Sequence, residues 1–404
     1  MNLTAATSLK KLLMIWLKKK QPFNQPQSFD WLILALALIL SFLGLMIIAD
    51  ASAVVAQIDF GDQFHYLKRQ AMWLLVGLVI MIITALIDYR RFKSWGNWLL
   101  LASLVSLVAV LVPDLGEKRL GAQRWLGIGG FGFQPSELAK LALVVWGANF
   151  FDNLLVPIKR KAVTINEKIT ASRPNTKPIW PFLIVLSVLA SLVMLGPDLG
   201  TTIVIVATGL CLAFLAETSA WKILLFLLFG LAAGLLLIIS SSYRQERLLT
   251  FFNPSRDPQG ASYHTQQILI ALGSGGLFGQ GIGQGKQKYA YLPEVVTDSI
   301  FAVISEELGF FGATVLILLL ALLVFTCLRS ALKAPDRFSQ LVCAGIGTLI
   351  GVQTIINLGA IVRIFPLTGI PLPLISYGGS SLVITLTGIG MVLSVSRCKI
   401  KERK

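Results

Sequence analysis

Stretches of about twenty mostly apolar residues, the length that carries an α-helix across a bilayer, recur along this chain at roughly 30–50, 71–88, 95–113, 136–153, 180–195, 200–217, 220–240, 299–328, 337–362 and 376–396. Open backbone amides are not tolerated in hydrocarbon, so such runs leave only helices or a closed barrel, and their length selects helices. Of the 404 residues 55% are hydrophobic, and mean hydropathy is +0.76. Both exceed what a soluble domain buries, where the apolar share is about 45–50%, so the surplus faces lipid. The expected fold class is therefore all-α: a polytopic membrane protein of about ten transmembrane helices, with a large extracytoplasmic loop, 241–298, between helices 7 and 8.

Orientation follows from Lys and Arg, which are held on the cytoplasmic side of short loops. The N-terminal segment holds Lys10, Lys11, Lys18, Lys19 and Lys20, and the tail holds Arg397, Lys399, Lys401, Arg403 and Lys404. Alternate loops agree: Arg90, Arg91 and Lys93; Lys159, Arg160, Lys161, Lys168, Arg173 and Lys177; Arg329, Lys333 and Arg337. Ten crossings with this bias place both the N and C termini in the cytoplasm. The chain then divides into a basic cytoplasmic N-terminal segment (1–28), a transmembrane domain (29–397) and a basic cytoplasmic tail (398–404). Within the first, LKKLLMIWLKKK (9–20) alternates apolar and basic residues as a membrane-surface helix does, and no small-residue cleavage site follows it. The inner connector 154–179 is basic and carries Pro and Asn, which suits a mobile link.

The net charge of +15 sits in juxtamembrane clusters, where anionic membrane lipid is the nearest partner, and no nucleic acid is expected. Cys211, Cys327, Cys343 and Cys398 show no motif spacing, so neither a disulfide framework nor a zinc site is implied. His65 and His264 are too few for a histidine metal cluster and argue against a Ser/His/Asp triad.

Four segments stand out. In YLPEVVTDSIFAVISEELGFFG (291–312) the carboxylates Glu294, Asp298, Glu306 and Glu307 lie at or near membrane depth, where ionisable groups mark function. Asp298 is either a reacting group or, with Thr297, the cap of the following helix. Glu306 and Glu307 either line a cavity or form a buried pair held by a base such as Lys140. In GAQRWLGIGGFGFQPSELAKLALV (121–144), Ser136 is placed to cap a helix, with Glu137 in its first turn. Arg124 beside Trp125 is either an aromatic-belt anchor or, with Lys68 and Arg69, a site for an anionic lipid headgroup. IPLPLISYGGSSLV (370–383) breaks the backbone, which at membrane depth marks a cavity wall. MLGPDLGTTIV (194–204) is a tight turn with Asp198 as its turn former. The glycines of ALGSGGLFGQGIGQG (271–285) would suit a phosphate cradle, but permissive turns and close helix approach are the favoured reading.

Together these segments, in this order across about 45–396, resemble the SEDS family of bacterial shape, elongation, division and sporulation proteins that includes FtsW and RodA, with 279–294 closer to FtsW. The resemblance implies a peptidoglycan glycosyltransferase that polymerises lipid II on the outer face of the bacterial plasma membrane, during septal synthesis in cell division. It implies Asp298 as the catalytic residue, acting as general base or metal ligand. The candidate substrate-binding residues are Lys68, Arg69, Arg124, Trp125, Gln134, Ser136, Lys140, Glu294, Ser376 and Tyr377, and Asp298 with Glu294 is the candidate holder of a divalent cation, Mg or Mn. Lys286 and Lys288 are further cations for a departing pyrophosphate. The implied partners are a class B penicillin-binding protein transpeptidase, lipid II and other divisome proteins. Alternatives are a lipid II flippase, for which the interior charges and the broken segment would also serve, a RodA-like elongation polymerase, and a non-catalytic scaffold.

Overall fold

A computed structural model of the chain describes residues 29–397 apart from 114, 120–121, 129–130, 155–177, 240–244, 246–248, 250, 253–261 and 290–291. The expected surface helix at 9–20, most of the connector 154–179 and the tail 398–404 lie outside the described residues. In chain order the elements are α1 (Trp31–Phe60), α2 (His65–Leu86), α3 (Arg90–Leu111), β1 (Gly116–Arg119), β2 (Ala122–Ile128), β3 (Phe131–Phe133), α4 (Pro135–Leu154), α5 (Trp180–Leu195), α6 (Leu199–Leu215), α7 (Ala220–Ile239), α8 (Tyr263–Ser274), α9 (Ile300–Leu332), α10 (Arg337–Ile361) and α11 (Gly379–Ser396).

Each apolar run is helical, and six helices, α1, α2, α3, α9, α10 and α11, are long and apolar enough to cross a membrane. They sort by burial. In their apolar stretches 83% of α11 and 72% of α10 is buried, against 28% of α3 and α9. The first two are therefore the centre of the bundle and the others its apolar rim, where Leu and Phe face outward as lipid contact requires. α2 packs closely along α11, and α10 lies among α4, α6 and α9. The α2–α11 seam is closed by small residues: a Cβ at Gly379 would meet the Trp73 indole, and one at Gly390 would meet Thr84 and the Met81 backbone.

The all-α expectation fails in one place. The strands β1, β2 and β3 form an antiparallel sheet in that order, with Glu117 opposite Trp125 and Leu126 opposite Phe133. Hairpin pairing satisfies the backbone of a segment too polar and glycine-rich to be helical.

At the opposite end of the bundle polar ties join helix ends. Tyr89 Oη donates to Asp336 (2.6 Å), Lys93 pairs with Asp152 (2.5 Å), and Asp336 and Ser339 cap α10 reciprocally. Burial and the hydrogen bond to Asp336 push the Tyr89 phenol above its ordinary pKa.

α9 is not one continuous helix. Gly309 sits at φ 67°, ψ −167°, a conformation open essentially to glycine alone. The break opens backbone groups on both sides, and the chain at 276–281 fills them: Phe310 and Phe311 N–H donate to the Gly276 and Leu277 carbonyls, while Gln280 and Gly281 N–H donate to those of Glu306 and Glu307. Gly279 allows the approach, since a Cβ there would strike the Glu307 carbonyl. The glycines serve close approach, and the amides of 279–281 and 285–287 are all bonded within the protein.

Candidate functional site

Asp298 ends the turn 292–299 that enters α9, and it is 8% exposed. Ser299 occupies the N-cap position of α9, one residue beyond Asp298. The turn is held on three sides. Tyr377 N–H donates to the Val296 carbonyl (2.8 Å), Asn357 Nδ2 donates to the Asp298 carbonyl (3.0 Å), and His264 Nε2 lies 2.6 Å from Ser299 Oγ. Thr297 Oγ1 lies 2.9 Å from Glu294 Oε2 and 3.3 Å from Asp298 Oδ1, so one hydroxyl reaches both carboxylates. Glu294 is exposed and has a positive φ of 50°, a left-handed turn that costs a non-glycine residue about 1–3 kcal/mol and persists only where its surroundings impose it. The backbone at Gly369 runs beside the Asp298 carboxylate: a Cβ there would lie 4.0 Å from Oδ2.

The broken segment 362–378 forms one wall of this site. Ser376 accepts from Leu372 N–H (2.8 Å) and closes a turn around Leu374, itself at φ 65°. Ser376 thus shapes the wall, and its carbonyl accepts from Gln70 Nε2 (3.3 Å), while Gln70 Oε1 receives Gly378 N–H (3.3 Å). Tyr377 meets Tyr66 edge to face at 5.0 Å, and Tyr66 is within electrostatic reach of Glu294 and Arg69. The start of α2 therefore faces the Asp298 turn. Lys68 and Arg69 are exposed there. Lys68 pairs with Asp62 at 2.8 Å, and that hydrogen bond holds the Asp62 carboxyl below its usual range.

Arg124 and Trp125 lie on β2, half-buried. The Arg124 guanidinium is occupied by the turn before α6, with Nε donating to the Gly196 carbonyl (2.9 Å) and Nη2 to that of Pro197. Asp198 fills its expected role as turn former and caps α6 through Thr201 N–H (3.0 Å). Gln134 bridges two elements, its N–H donating to Ser380 Oγ (3.1 Å) and its Nε2 to Asp198 (3.2 Å). Ser136 is corrected. α4 begins at Pro135, the residue favoured at a first helical position, so Ser136 lies inside the first turn and its buried hydroxyl has no hydrogen-bond partner among the described residues.

Lys140 does not hold Glu306 and Glu307. Its Nζ pairs with Glu137 (2.8 Å), three residues earlier on α4, and donates to Gln353 Oε1 (2.7 Å) on α10. The base that meets Glu307 is Lys288 (2.7 Å), which also binds both oxygens of Asp50 on α1 (2.7 Å). Burial works against the Lys288 charge, but its bonds to Asp50 and Glu307 outweigh that and hold its pKa above the ordinary lysine value. Glu306 accepts from the N–H groups of Lys286 (2.9 Å) and Gln287 (3.2 Å). The two glutamates are thus anchors for the loop rather than lining of a cavity.

Three functional-site residues escape sequence reasoning: Gln70, Gln353 and Asn357. The available signal was the spacing of Gln353 and Asn357, two amides at i, i+4 in an otherwise apolar run, a polar stripe that must find partners inside a membrane bundle.

Residues 30–401 match the family model FTSW_RODA_SPOVE, described as cell cycle protein. The chain is 39% identical over 368 residues to stage V sporulation protein E of Bacillus subtilis, covering 91% of this chain and 97% of that one. It is 36% identical over 384 residues to the probable peptidoglycan glycosyltransferase FtsW of Trichlorobacter lovleyi, covering 93% and 95%. Among solved structures it resembles a chain from work on the structural coordination of polymerization and crosslinking by a peptidoglycan synthase complex, with a TM-score of 0.70 and 29% identity over 92% of this chain and 98% of that one. The crystal structure of the rod shape determining protein RodA of Thermus thermophilus gives a TM-score of 0.65 and 29% identity over 93% and 99%.

Proposed function

The chain belongs to the FtsW, RodA and SpoVE family of cell cycle proteins, and from that membership we propose how its site works. It is a multi-pass membrane protein and a peptidoglycan glycosyltransferase of cell-wall synthesis. In our reading it crosses the bilayer ten times with both termini in the cytoplasm, the Asp298 end faces outward, its substrate is lipid II, and its product is septal glycan. A class B penicillin-binding protein transpeptidase is the proposed partner, as the likeness to a chain of a peptidoglycan synthase complex supports.

Chain growth joins the 4-hydroxyl oxygen of one sugar to the anomeric carbon of another. The bond from that carbon to the pyrophosphate breaks, the pyrophosphate keeps the electron pair, the carbon inverts, and the hydroxyl proton must go to a base. The observation that carries the assignment is Asp298, a carboxylate buried where α9, the wall 362–378 and α10 meet. It takes the proton there. The leaving pyrophosphate needs no proton, but it needs positive charge. Arg69 and Lys68 supply it from the exposed start of α2, whereas the Arg124 guanidinium is occupied by the α5–α6 turn. In its alternative role, as metal ligand in place of base, Asp298 with Glu294, which shares one hydroxyl with it, would hold a divalent cation such as Mg or Mn. When bound, the ion would supply charge for the pyrophosphate.

Purified with its transpeptidase and given lipid II, the parent makes long glycan strands. Asp298→Ala, folded and in complex, loses about a hundredfold to ten-thousandfold in rate. Undiminished strand synthesis by that variant would remove Asp298 from the chemistry. Passage of lipid II across vesicles with no polymer would replace the enzyme by a flippase.

A further inference from the structure

We propose that Asn357 is a positioning residue for glycosyl transfer, holding Asp298 and the wall beside it in one fixed relation; this rests on the reading of Asp298 as the base. Asn357 lies on the central helix α10 and is 2% exposed. A primary amide has two N–H groups, and Asn357 uses both, one on the Asp298 carbonyl (3.0 Å) and one on that of Ile370 (2.8 Å). The two acceptors fix the amide's orientation, since the opposite flip would set its oxygen against two carbonyl oxygens.

The arrangement has a cost that packing does not explain. The Asn357 Oδ1 is buried and has no hydrogen-bond partner among the described residues, an unmet acceptor of about 1–3 kcal/mol. A leucine of similar volume would remove that unmet acceptor, but would take the donors from the Asp298 and Ile370 carbonyls. What leucine could not do is bridge two strands of irregular backbone. One turn along the helix Gln353 repeats the pattern, donating to the Pro371 carbonyl (2.9 Å) and accepting from Lys140 (2.7 Å). The adjacent carbonyls of Ile370 and Pro371 therefore hang from two amides of one helix face. Through Asn357 the same face reaches Asp298, and the Gly369 backbone next to Ile370 runs beside the carboxylate, where an added Cβ would lie 4.0 Å from Oδ2. In a water-poor interior no solvent replaces these bonds, so losing them lets base and wall drift apart. A shift of about 1 Å in a reacting group costs about a hundredfold in rate.

The test is steady-state polymerisation of lipid II by the protein in complex with its transpeptidase, comparing the parent with Asn357→Leu, Asn357→Asp, Asn357→Gln and Asp298→Ala. Asn357→Leu keeps size without donors, and Asn357→Asp keeps shape while removing the amide donors. The expected result is a fall of about a hundredfold in kcat for both, with KM for lipid II close to the parent, the leucine variant still folded at the assay temperature although its melting temperature is lowered by the two carbonyls left without donors, and partial recovery in Asn357→Gln. Parental kcat in Asn357→Leu alongside an inactive Asp298→Ala overturns the positioning role and leaves the base in place. A kcat loss that only follows loss of folded protein also overturns it. An active Asp298→Ala removes the base reading itself.

Discussion

Lys288 is 4% exposed, and a buried ammonium persists only with its charge met on every side. Asp50 and Glu307 meet it from two different helices. Lys288→Met should therefore leave two carboxylates facing each other and destabilise the protein by about 3 kcal/mol, the lower end of the range for a broken buried pair because Asp50 is partly exposed. Thermal unfolding in detergent should show this as a lower midpoint, largely restored when Asp50→Asn and Glu307→Gln are added; an unchanged midpoint would deny the cluster its structural weight. The pairing was out of reach of sequence reasoning because its members are far apart along the chain and Lys288 comes from a glycine-rich loop. The Glu137–Lys140 pair replaces the expected pairing of Lys140 with Glu306 and Glu307, although the signal for it was present, since three residues apart on a helix puts side chains on one face. Asp298 stood out in the sequence as a carboxylate near membrane depth, with a cap reading beside it; the N-cap position of α9 falls on Ser299, because the start of a helix is set by backbone geometry that composition leaves open by a residue or two.

Helices were the most readable elements, since lipid demands both length and apolarity. The run at 180–195 is α5 to the residue, whereas the run at 30–50 continues as α1 to Phe60, where Gly61 ends it in a left-handed cap. The break in α9 was hidden because a single glycine inside a helical run does not by itself announce a break, and the backbone that fills it comes from a loop thirty residues earlier. Gly309→Ala should cost about 1–3 kcal/mol for backbone conformation alone, and more because its Cβ would meet the Gly279 backbone. Gly230→Ala in α7 is the matched control: a Cβ there meets nothing within 4 Å, so the change should be neutral or slightly stabilising. Equal midpoints for the two variants would mean that the break is not held as described. The small sheet was unreadable for a different reason. Its strands, GEKR, AQRWLGI and FGF, are short and glycine-bearing, and hairpin pairing gives them the order that a period of two does not announce.

At the scale of the whole molecule, polar side chains gather at the two ends of the bundle and in one stripe on its central helix. The end with Asp298, Arg69 and the sheet should face outward. With the four native cysteines replaced, Lys68→Cys in intact cells should react with a membrane-impermeant maleimide, and Arg91→Cys should react only after lysis. The opposite pattern would invert the topology and exclude lipid II polymerisation at the Asp298 site. The break at Gly309 carries a consequence for motion. Beyond the first two amides below it, Phe310 and Phe311, which bond to the Gly276 and Leu277 carbonyls, the rest of α9 to Leu332 is held by its own helical bonds, while 300–308 are also strapped to the loop at 276–288. Deuterium should therefore enter α9 in two stages, first above the break when the strap loosens and later below it, and a partner that grips the loop would slow only the first stage, tuning the catalytic turn without touching the post it stands on.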